Sequence, residues 1–259
     1  MRIPHIAVIT GGRSPRPELL AELSAKLGQI RFEEFGALDG VSDEALADHA
    51  PGPDEPSFFA PLGGGDNAVI SVALVEKQVR HLVARLDDRG FDLIVIAVTA
   101  LFAPLSAGTP IVHGQQAVDA WVSALGAGDI NIGLIFPLPR QGNQLATSHR
   151  TQIQSANATI EGGHNARLAQ AASRVSRADL IVMQSVGYTE AMAQRVARES
   201  EVLAHVLEGG ANKSIARALH ISHRTVEIHR SRAMAKLGFR SVTDLLRRSL
   251  TAPRVEPPT

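Results

Sequence analysis

Cysteine is absent from the 259 residues of this chain. Disulfide bonds, thiolate catalysis and metal sites built on cysteine are therefore excluded. The ten histidines are scattered without the spacing of metal ligands, and the sequence contains neither a GxGxxG fingerprint nor a Walker loop. We therefore expect no bound metal and no cofactor.

Long apolar runs are also missing. The N-terminal stretch MRIPHIAVIT lacks the apolar run of a signal peptide, and no other stretch approaches the length of a membrane span. We expect a cytoplasmic location and no membrane contact. A hydrophobic content of 44% with 20% charged residues is typical of a globular protein with a packed core.

An excess of either charge is absent from the chain as a whole, whose formal net charge is zero. The two signs are nevertheless unevenly placed. Residues 198–250 contain 10 Lys or Arg and 5 Asp or Glu, a net charge of +5, so the remainder carries −5. This asymmetry, with a length that suits two ordinary domains, predicts an α/β domain at 1–197, a basic module at 198–250 and a disordered Pro-rich tail at 251–259.

The basic module has the pattern of four short amphipathic helices. The first covers residues 198–207 and ends at the glycines that follow. Asn212 is expected to cap the second helix, Ser222 the third, at 223–237, and Ser241 the fourth. A helix, a short turn and a second helix form the geometry that places the second helix in the major groove of DNA.

The segment ANKSIARALHISHRTVEIHRSRAMAKLGFRS resembles the LuxR/FixJ-type helix-turn-helix, with an NKEIA-like start, an SxRTVExHR-like recognition helix and a KLG end. In that family the recognition helix lies in the major groove, and the last helix often makes the dimer contact. The resemblance therefore implies double-stranded DNA as a partner and a homodimer. The residues it places against DNA are Lys213, Ser222, Arg224, Thr225, Glu227, Ile228, Arg230 and Ser231.

Within this set, the side chains expected to face bases are Thr225, Glu227, Ile228 and Ser231, and those expected to meet phosphates are Lys213, Arg224 and Arg230. Glu227 stands where many relatives have lysine, and a carboxylate there can accept a hydrogen bond from the N4 amine of cytosine. The alternative is a helical protein-docking module with solvated charges. The caps, the basic third helix and the resemblance all favour DNA over that alternative.

The acidic body starts with a short apolar run at residues 5–9, which predicts a buried strand. The turn TGGRSPRPE leads from it into a helix over residues 18–27. A helix that starts just after a Gly-rich turn can bind an anion, and Arg13 and Arg16 would strengthen such a site. A plain turn with solvated arginines is equally compatible with this spacing.

The rest of the body alternates between strands and helices. Strands are expected at residues 30–35, 91–98, 131–136 and 179–184, with 91–98 and 179–184 buried, and helices at 74–89, 145–154 and 164–175. Ser42 is expected to cap a short acidic helix. Residues 51–65 contain four prolines and four glycines, and we expect them to form an irregular loop or lid.

Two stretches of the body, DLIVIAVTA and DLIVMQSVG, echo each other. They are consistent with two similar α/β lobes that face one another. The loops that follow the two strands would then line one cleft, a common position for a ligand.

The stretches SPRPE, FGALDGVSDE, DLIVIAVTALF and DLIVMQSVGYTEAM resemble the AroM family, which is related by fold to two-lobed aspartate/glutamate racemases. The resemblance covers roughly residues 1–197. It implies a two-lobed, parallel-sheet α/β domain with a cleft for a small ligand that bears a carboxylate. The ligand-binding residues expected there are Ser14, Arg16, Thr99, Ser185, Tyr188 and Thr189.

The sequence departs from the racemase pattern where catalysis would occur. Racemases of this superfamily place one cysteine at each of two facing strand ends, and Val98 and Ser185 stand at those places here. Valine cannot exchange a proton, and serine without an adjacent base is a poor acid or base. The relatives also continue with a further strand and helix, where this chain has its basic module.

These patterns predict a transcription regulator that joins an AroM-like sensor to a helix-turn-helix, without enzyme activity. Because no proline or glycine lies between Thr189 and Glu208, the helix after the second loop is expected to run almost directly into the module. One alternative is a racemase, isomerase or lyase with an appended DNA-binding module. Its proton-transfer pair would come from Ser185, Thr99, Tyr188, Asp39 and Glu190. Another alternative is an α/β part that serves only dimerisation or partner docking.

Overall fold

The computed structural model describes residues 2–125, 131–138, 153–158, 164–207 and 210–236. Its elements, in chain order, are β1 His5–Thr10, α1 Pro17–Leu27, β2 Arg31–Gly36, α2 Asp43–Asp48, β3 Ser57–Gly63, β4 Asp66–Ser71, α3 Val72–Leu86, β5 Leu93–Ala97, β6 Ile111–His113, α4 Gly114–Leu125, β7 Ile132–Phe136, β8 Ile153–Asn157, α5 His164–Arg174, β9 Leu180–Met183, α6 Glu190–Leu207, α7 Asn212–Ala218 and α8 His223–Lys236. This order confirms an α/β body followed by a helical module.

The first lobe, within residues 2–125, is built on a parallel sheet with the strand order β2-β1-β5-β6. Its central strand β1 is a continuous apolar run because it is buried from Ile6 onward. Helix α3 packs on this sheet through an apolar stripe at helical spacing: Val75, Val79, Leu82, Val83 and Leu86 are all buried. The sequence predicted both of these elements.

A β-hairpin occupies much of the segment expected to be an irregular loop or lid, so that prediction was wrong. Strands β3 and β4 pair antiparallel, and Phe58 and Ile70, partners in the ladder, are both buried. The turn consists of three glycines, residues 63–65, all with positive φ. Pro61 lies within β3, where a two-stranded hairpin tolerates it. The prolines and glycines therefore mark a turn and an edge strand.

The second lobe, within residues 131–207, is built on a three-stranded parallel sheet with the order β8-β7-β9. The helix predicted at 145–154 overlaps the first residues of strand β8, and the rest of that prediction lies outside the described residues. Strand β6 and helix α4 were not predicted at all. Helix α4 connects the lobes, since its Val122 packs against apolar side chains of β7.

Helix α6 is one uninterrupted helix of 18 residues, about 27 Å long at the usual rise per residue. The predicted domain boundary at 197/198 lies inside it. Its Val196 is buried in the core of the second lobe, while Val202 and Val206 are buried nearer the C-terminal module. Within the described ranges, neither α6 nor any other helix is long and apolar enough to cross a membrane.

Helices α7 and α8 form a helix-turn-helix that packs against α5 and α6. The prediction for Ser222 is confirmed, because its Oγ accepts the Thr225 amide at 3.0 Å at the start of α8. The prediction for Asn212 was wrong. The N-cap of α7 is Ala211, whose backbone is extended, and Asn212 is the first helical residue. Leu237, the fourth helix from Ser241 and the tail lie outside the described residues.

Candidate ligand cleft and DNA interface

A cleft of about 480 Å³ lies where strands of both sheets end. Thr99, Phe136 and Gln184 reach it from the ends of β5, β7 and β9, and helix α4 contributes Gln115 and Asp119. Ligands of parallel α/β sheets bind beyond the carboxyl ends of the strands. The position of the cleft therefore suits a ligand site shared by the two lobes.

Two buried amides link the lobes inside this cleft. Gln115 Nε2 donates to Asp119 Oδ1 at 2.7 Å and to Gln184 Oε1 at 3.1 Å. An ionised carboxylate only accepts hydrogen bonds, so both amide hydrogens of Gln115 are used and the orientation of the Gln184 amide is set. The Gln115 side chain of the first lobe is thereby hydrogen-bonded to the Gln184 side chain at the edge of the second lobe.

The amide nitrogen of Gln184 is left without a partner by this arrangement. The residue is only 6% exposed, and its Nε2 is enclosed without a hydrogen-bond partner among the described residues. An unpaired buried donor costs about 1–3 kcal/mol. Because most buried polar groups are paired, such a donor is a free hydrogen-bonding position for a bound molecule or an ordered water.

The lining of the cleft is acidic. Glu55, Glu76 and Asp119 contribute carboxylates, and no Lys or Arg is among the lining residues of the described chain. Glu76 is partly neutralised, since its Oε1 accepts from Arg80 Nη2 at 2.7 Å and from the Ala103 amide at 3.1 Å. Asp119 has no ion pair with a Lys or Arg in the described part of the chain. The described lining of the cleft therefore carries a negative formal charge.

His113 lies in the first lobe, where strand β6 meets α4 and close to the charge of Asp119. It is 8% exposed and packs edge-on against Phe102, with ring centroids 5.2 Å apart. Burial lowers the pKa of His113, and the charge of Asp119 opposes that shift less strongly. The ring is therefore neutral at pH 7 and adds no positive charge to the cleft.

Ser185 lines a smaller pocket of about 190 Å³ that shares Thr99, Gln115 and Gln184 with the cleft. The structure thus brings Thr99 and Ser185 together, as the sequence predicted. The Ser185 hydroxyl accepts the Gly187 amide at 3.1 Å, a contact that shapes the loop. Val98, at the facing position, is 1% exposed.

Ser14 and Arg16 line a different pocket, against the glycine turn of the hairpin. The carboxylate of Asp39 accepts both the amide of Ser14, at 2.8 Å, and its hydroxyl, at 2.7 Å. Arg16 Nη2 donates to the Val186 carbonyl of the second lobe at 3.3 Å, and its buried Nη1 has no partner within the described chain. Burial lowers the pKa of Arg16, against the charges of Glu34 and Glu18. Anion binding here stays a prediction.

Tyr188 and Thr189 face a groove between α6 and β9. The Tyr188 hydroxyl donates to the Ala158 carbonyl, and burial raises the pKa of this phenol. Thr189 Oγ1 accepts the Met192 amide at 3.3 Å at the start of α6. Both side chains have structural partners, and their contact with a ligand stays a prediction.

Sequence reasoning missed Gln115, Asp119 and Gln184, the polar groups that define the cleft. Gln184 offered a clue, because it is the polar residue that ends the apolar run DLIVMQ. Gln115 and Asp119 offered none, since β6 and α4 were not recognised. Their proximity to Gln184 arises only when the lobes meet.

The outward face of α8 is a stripe of exposed residues at helical spacing: His223, Arg224, Glu227, Ile228 and Ser231. Four of these were predicted to contact DNA. Ile228 is 41% exposed, which is unusual for an isoleucine without a partner. Lys213 and Arg217 are exposed on the neighbouring α7, and the sequence reasoning had left out Arg217 and His223. This face presents both cations and the exposed side chains that the sequence predicted to face bases.

Four of the residues predicted to contact DNA, Ser222, Thr225, Glu227 and Arg230, have partners inside the module. The Thr225 hydroxyl lies 2.7 Å from the Ser222 hydroxyl, and Thr225 is half-buried. Arg230 is also half-buried and donates through Nη1 to the side-chain oxygen of Asn212. Glu227 Oε1 lies 3.3 Å from His223 Nδ1, one helical turn away. The roles of these side chains on DNA stay predictions.

Two family models match the chain. The model described as AroM protein matches residues 6–219, and the model described as bacterial regulatory proteins, luxR family, matches residues 196–249. The matches overlap over residues 196–219, which include the C-terminal part of α6 and the whole of α7. Both resemblances inferred from the sequence are confirmed.

Curated relatives match over short segments. The C4-dicarboxylate transport transcriptional regulatory protein DctR of Rhodobacter capsulatus is 57% identical over 49 residues, 19% of this chain and 25% of that protein. The transcriptional regulatory protein FixJ of Rhizobium meliloti is 51% identical over 53 residues, 20% of this chain and 26% of that protein. The chain thus spans about a quarter of the length of the curated relatives it matches.

Two solved structures align along nearly the whole chain, covering 97% of it and 100% of each of them. RcsB from Salmonella enterica serovar Typhimurium, bound to promoter rprA, has a TM-score of 0.22 and 12% identity. The response regulator StyR has a TM-score of 0.22 and 18% identity. At such a low TM-score these alignments carry no argument about this chain.

Proposed function

Because this chain belongs to the AroM family and also matches the luxR family of regulatory proteins over residues 196–249, we propose that it is a DNA-binding transcription regulator. Helix α8 enters the major groove, and two copies bind as a dimer. The α/β domain senses a small molecule in its cleft. The observation that carries this proposal is α6, one helix that begins at the second lobe's loop and packs against α8.

Coupling between the cleft and DNA follows from this connection. Gln184 lines the cleft and lies only six residues before the start of α6 at Glu190. Val196 anchors the helix in the lobe core, while Val202 and Val206 are buried further along it. If the loop has two conformations and the ligand binds one of them more tightly, binding shifts the loop toward that conformation. Because α6 connects the loop to α8, the position of α8 shifts with it.

The exposed face of α8 provides the reading surface. Lys213 and Arg224 are exposed and meet phosphates, which supply affinity that falls with salt. Glu227, Ile228 and Ser231 point away from the protein and read base edges. Loss of Glu227 or Ser231 is thus expected to change base preference more than overall affinity.

No observation favours an enzyme over this proposal. In the described part of the chain, no histidine or carboxylate is hydrogen-bonded to the Ser185 hydroxyl, and Val98 carries no exchangeable proton. The other proton-transfer candidates with a carboxylate are engaged elsewhere. Asp39 holds the turn at Ser14, and Glu190 pairs with Lys26 at 2.8 Å.

The proposal is tested by selecting genomic fragments with the purified chain, with and without pooled metabolites. We expect specific fragments to be enriched and the set to change with metabolites. Affinity for one selected fragment is then measured with and without the active metabolite fraction at matched salt. No enrichment would contradict DNA recognition. Enrichment with equal affinities in both conditions would contradict only the sensing role.

A further inference from the structure

The cleft between the lobes offers a ligand two polar groups with free hydrogen-bonding capacity, a half-buried carboxylate and a buried amide. One is the carboxylate of Asp119, whose Oδ1 accepts from Gln115 and whose Oδ2 accepts no hydrogen bond from any described residue. The other is the amide nitrogen of Gln184, a buried donor without a partner in the described chain. A ligand that satisfies both must carry a donor at one end and an acceptor at the other.

The charge of the cleft determines which kind of donor group the ligand carries. Among the described residues, three carboxylates line the cleft, and the guanidinium of Arg80 beside them is already used by Glu76 and by the Pro104 carbonyl at 3.1 Å. His113 is neutral, so it cannot offset Asp119. An anionic ligand would therefore enter a negative, partly desolvated site, where like charges repel strongly.

The orientation of the Gln184 amide determines which kind of acceptor group the ligand carries. Its oxygen is held by Gln115, and Gln115 cannot turn over without bringing its own oxygen against the carboxylate of Asp119. The nitrogen of Gln184 is therefore the end that remains for a ligand, and it can only donate. A carbonyl or hydroxyl oxygen on the ligand is the matching group.

We propose that the cleft binds a small, positively charged amine that also carries a neutral carbonyl or hydroxyl oxygen, with Asp119 holding the ammonium group and Gln184 donating to the oxygen. This inference rests on the proposed sensing role of the same cleft. It reverses the ligand charge implied by the resemblance to the racemases, from which a carboxylate was expected. A volume of about 480 Å³ suits a molecule of metabolite size.

Two matched probes test the charge. The compounds 4-aminobutanamide and succinamate share a primary amide and differ in the charge at the other end. Binding to the full chain without DNA is measured by calorimetry. We expect 4-aminobutanamide to bind at least tenfold more tightly than succinamate.

Three variants assign the residues. Asp119→Asn keeps the shape and removes the charge, so 4-aminobutanamide should bind at least tenfold more weakly. Gln184→Met should weaken 4-aminobutanamide severalfold but leave 1-aminobutane, which lacks the oxygen, unchanged. Asp48→Asn, an exposed change at the end of α2, is the matched control and should bind as the parent chain does. Circular dichroism confirms that each variant is folded.

Preference for succinamate, equal binding of the two probes, or no binding of either at millimolar concentration would overturn the inference. Retention of full affinity in Asp119→Asn would do the same. None of these results touches the proposed regulation by an unidentified metabolite, because that is measured as a change in DNA affinity with pooled metabolites. A metabolite pool without effect on DNA, combined with tight binding of 4-aminobutanamide, would contradict the sensing role alone.

Discussion

The carbonyl oxygen of Pro61 limits what can stand at position 12. A Cβ added to Gly12 would lie 2.1 Å from that oxygen, and the next amide, that of Arg13, donates to the same oxygen at 2.9 Å. The hairpin and the turn after β1 are therefore in backbone contact. Glycine is required here by this close approach.

Gly12→Ala is expected to destabilise the protein by about 1–3 kcal/mol, because a backbone oxygen cannot turn away as a side chain can. Gly52→Ala is the matched control, since its Cβ would have no neighbour nearer than 4.0 Å. The measurement is the free energy of unfolding in urea, followed by circular dichroism. Equal stability of the two variants would show that the hairpin does not press on this turn.

Ser222 has one hydroxyl and two predicted roles, the cap of α8 and a contact with DNA. The cap is visible in the structure, since Oγ accepts the Thr225 amide. Ser222→Ala should therefore lower the stability of the module by about 1 kcal/mol. Ser231→Ala, an exposed change on the same helix, should be within about 0.5 kcal/mol of the parent chain. Unfolding curves of the two variants measure this difference in stability. Identical curves would refute the capping role of Ser222.

At the scale of elements, α6 belongs to two structures at once. Its Val196 lies in the core of the second lobe, and the helix contacts both α5 and α8. The absence of proline and glycine along it predicted this continuity. The two family matches overlap over residues 196–219, which include the C-terminal part of this helix.

Interrupting α6 should separate sensing from DNA binding. Ala197 is exposed in the middle of the helix, so Ala197→Pro removes a helical hydrogen bond at a cost of about 3 kcal/mol without disturbing a buried side chain. We expect DNA binding to persist and the change in DNA affinity with metabolites to be lost, in the assay of affinity at matched salt. Ala197→Ser should behave as the parent chain does. A full metabolite response in the proline variant would contradict a role for α6 as the connection.

At the scale of the whole molecule, a net charge of zero conceals an acidic body and a basic module with a net charge of +5. Binding to DNA should therefore weaken steeply with salt in spite of the neutral total, because only the module meets the phosphates. We expect the acidic body to repel DNA at its other faces, which would favour one orientation.

Lys213→Ala is expected to lower affinity for specific and random DNA alike and to reduce the slope of log affinity against log salt by about one unit. Lys77→Ala, which removes an exposed lysine from α3 in the first lobe, should leave the slope unchanged. Fluorescence anisotropy across a salt series measures both. Equal slopes for the parent chain and Lys213→Ala would place this lysine away from the phosphates.

The sequence by itself determined the features that depend on local pattern. Buried strands appear as apolar runs, α3 as a stripe at helical spacing, and the start of α8 as a capping serine, because each needs only neighbours along the chain. Strand β6 is too short for such a pattern, and the hairpin was hidden by prolines and glycines that also suit a loop. Only the tertiary structure determined which residues form the cleft. Gln115 and Gln184 are 69 residues apart, and their contact, the unpaired amide and the acidic lining exist only because two sheets end at the same place.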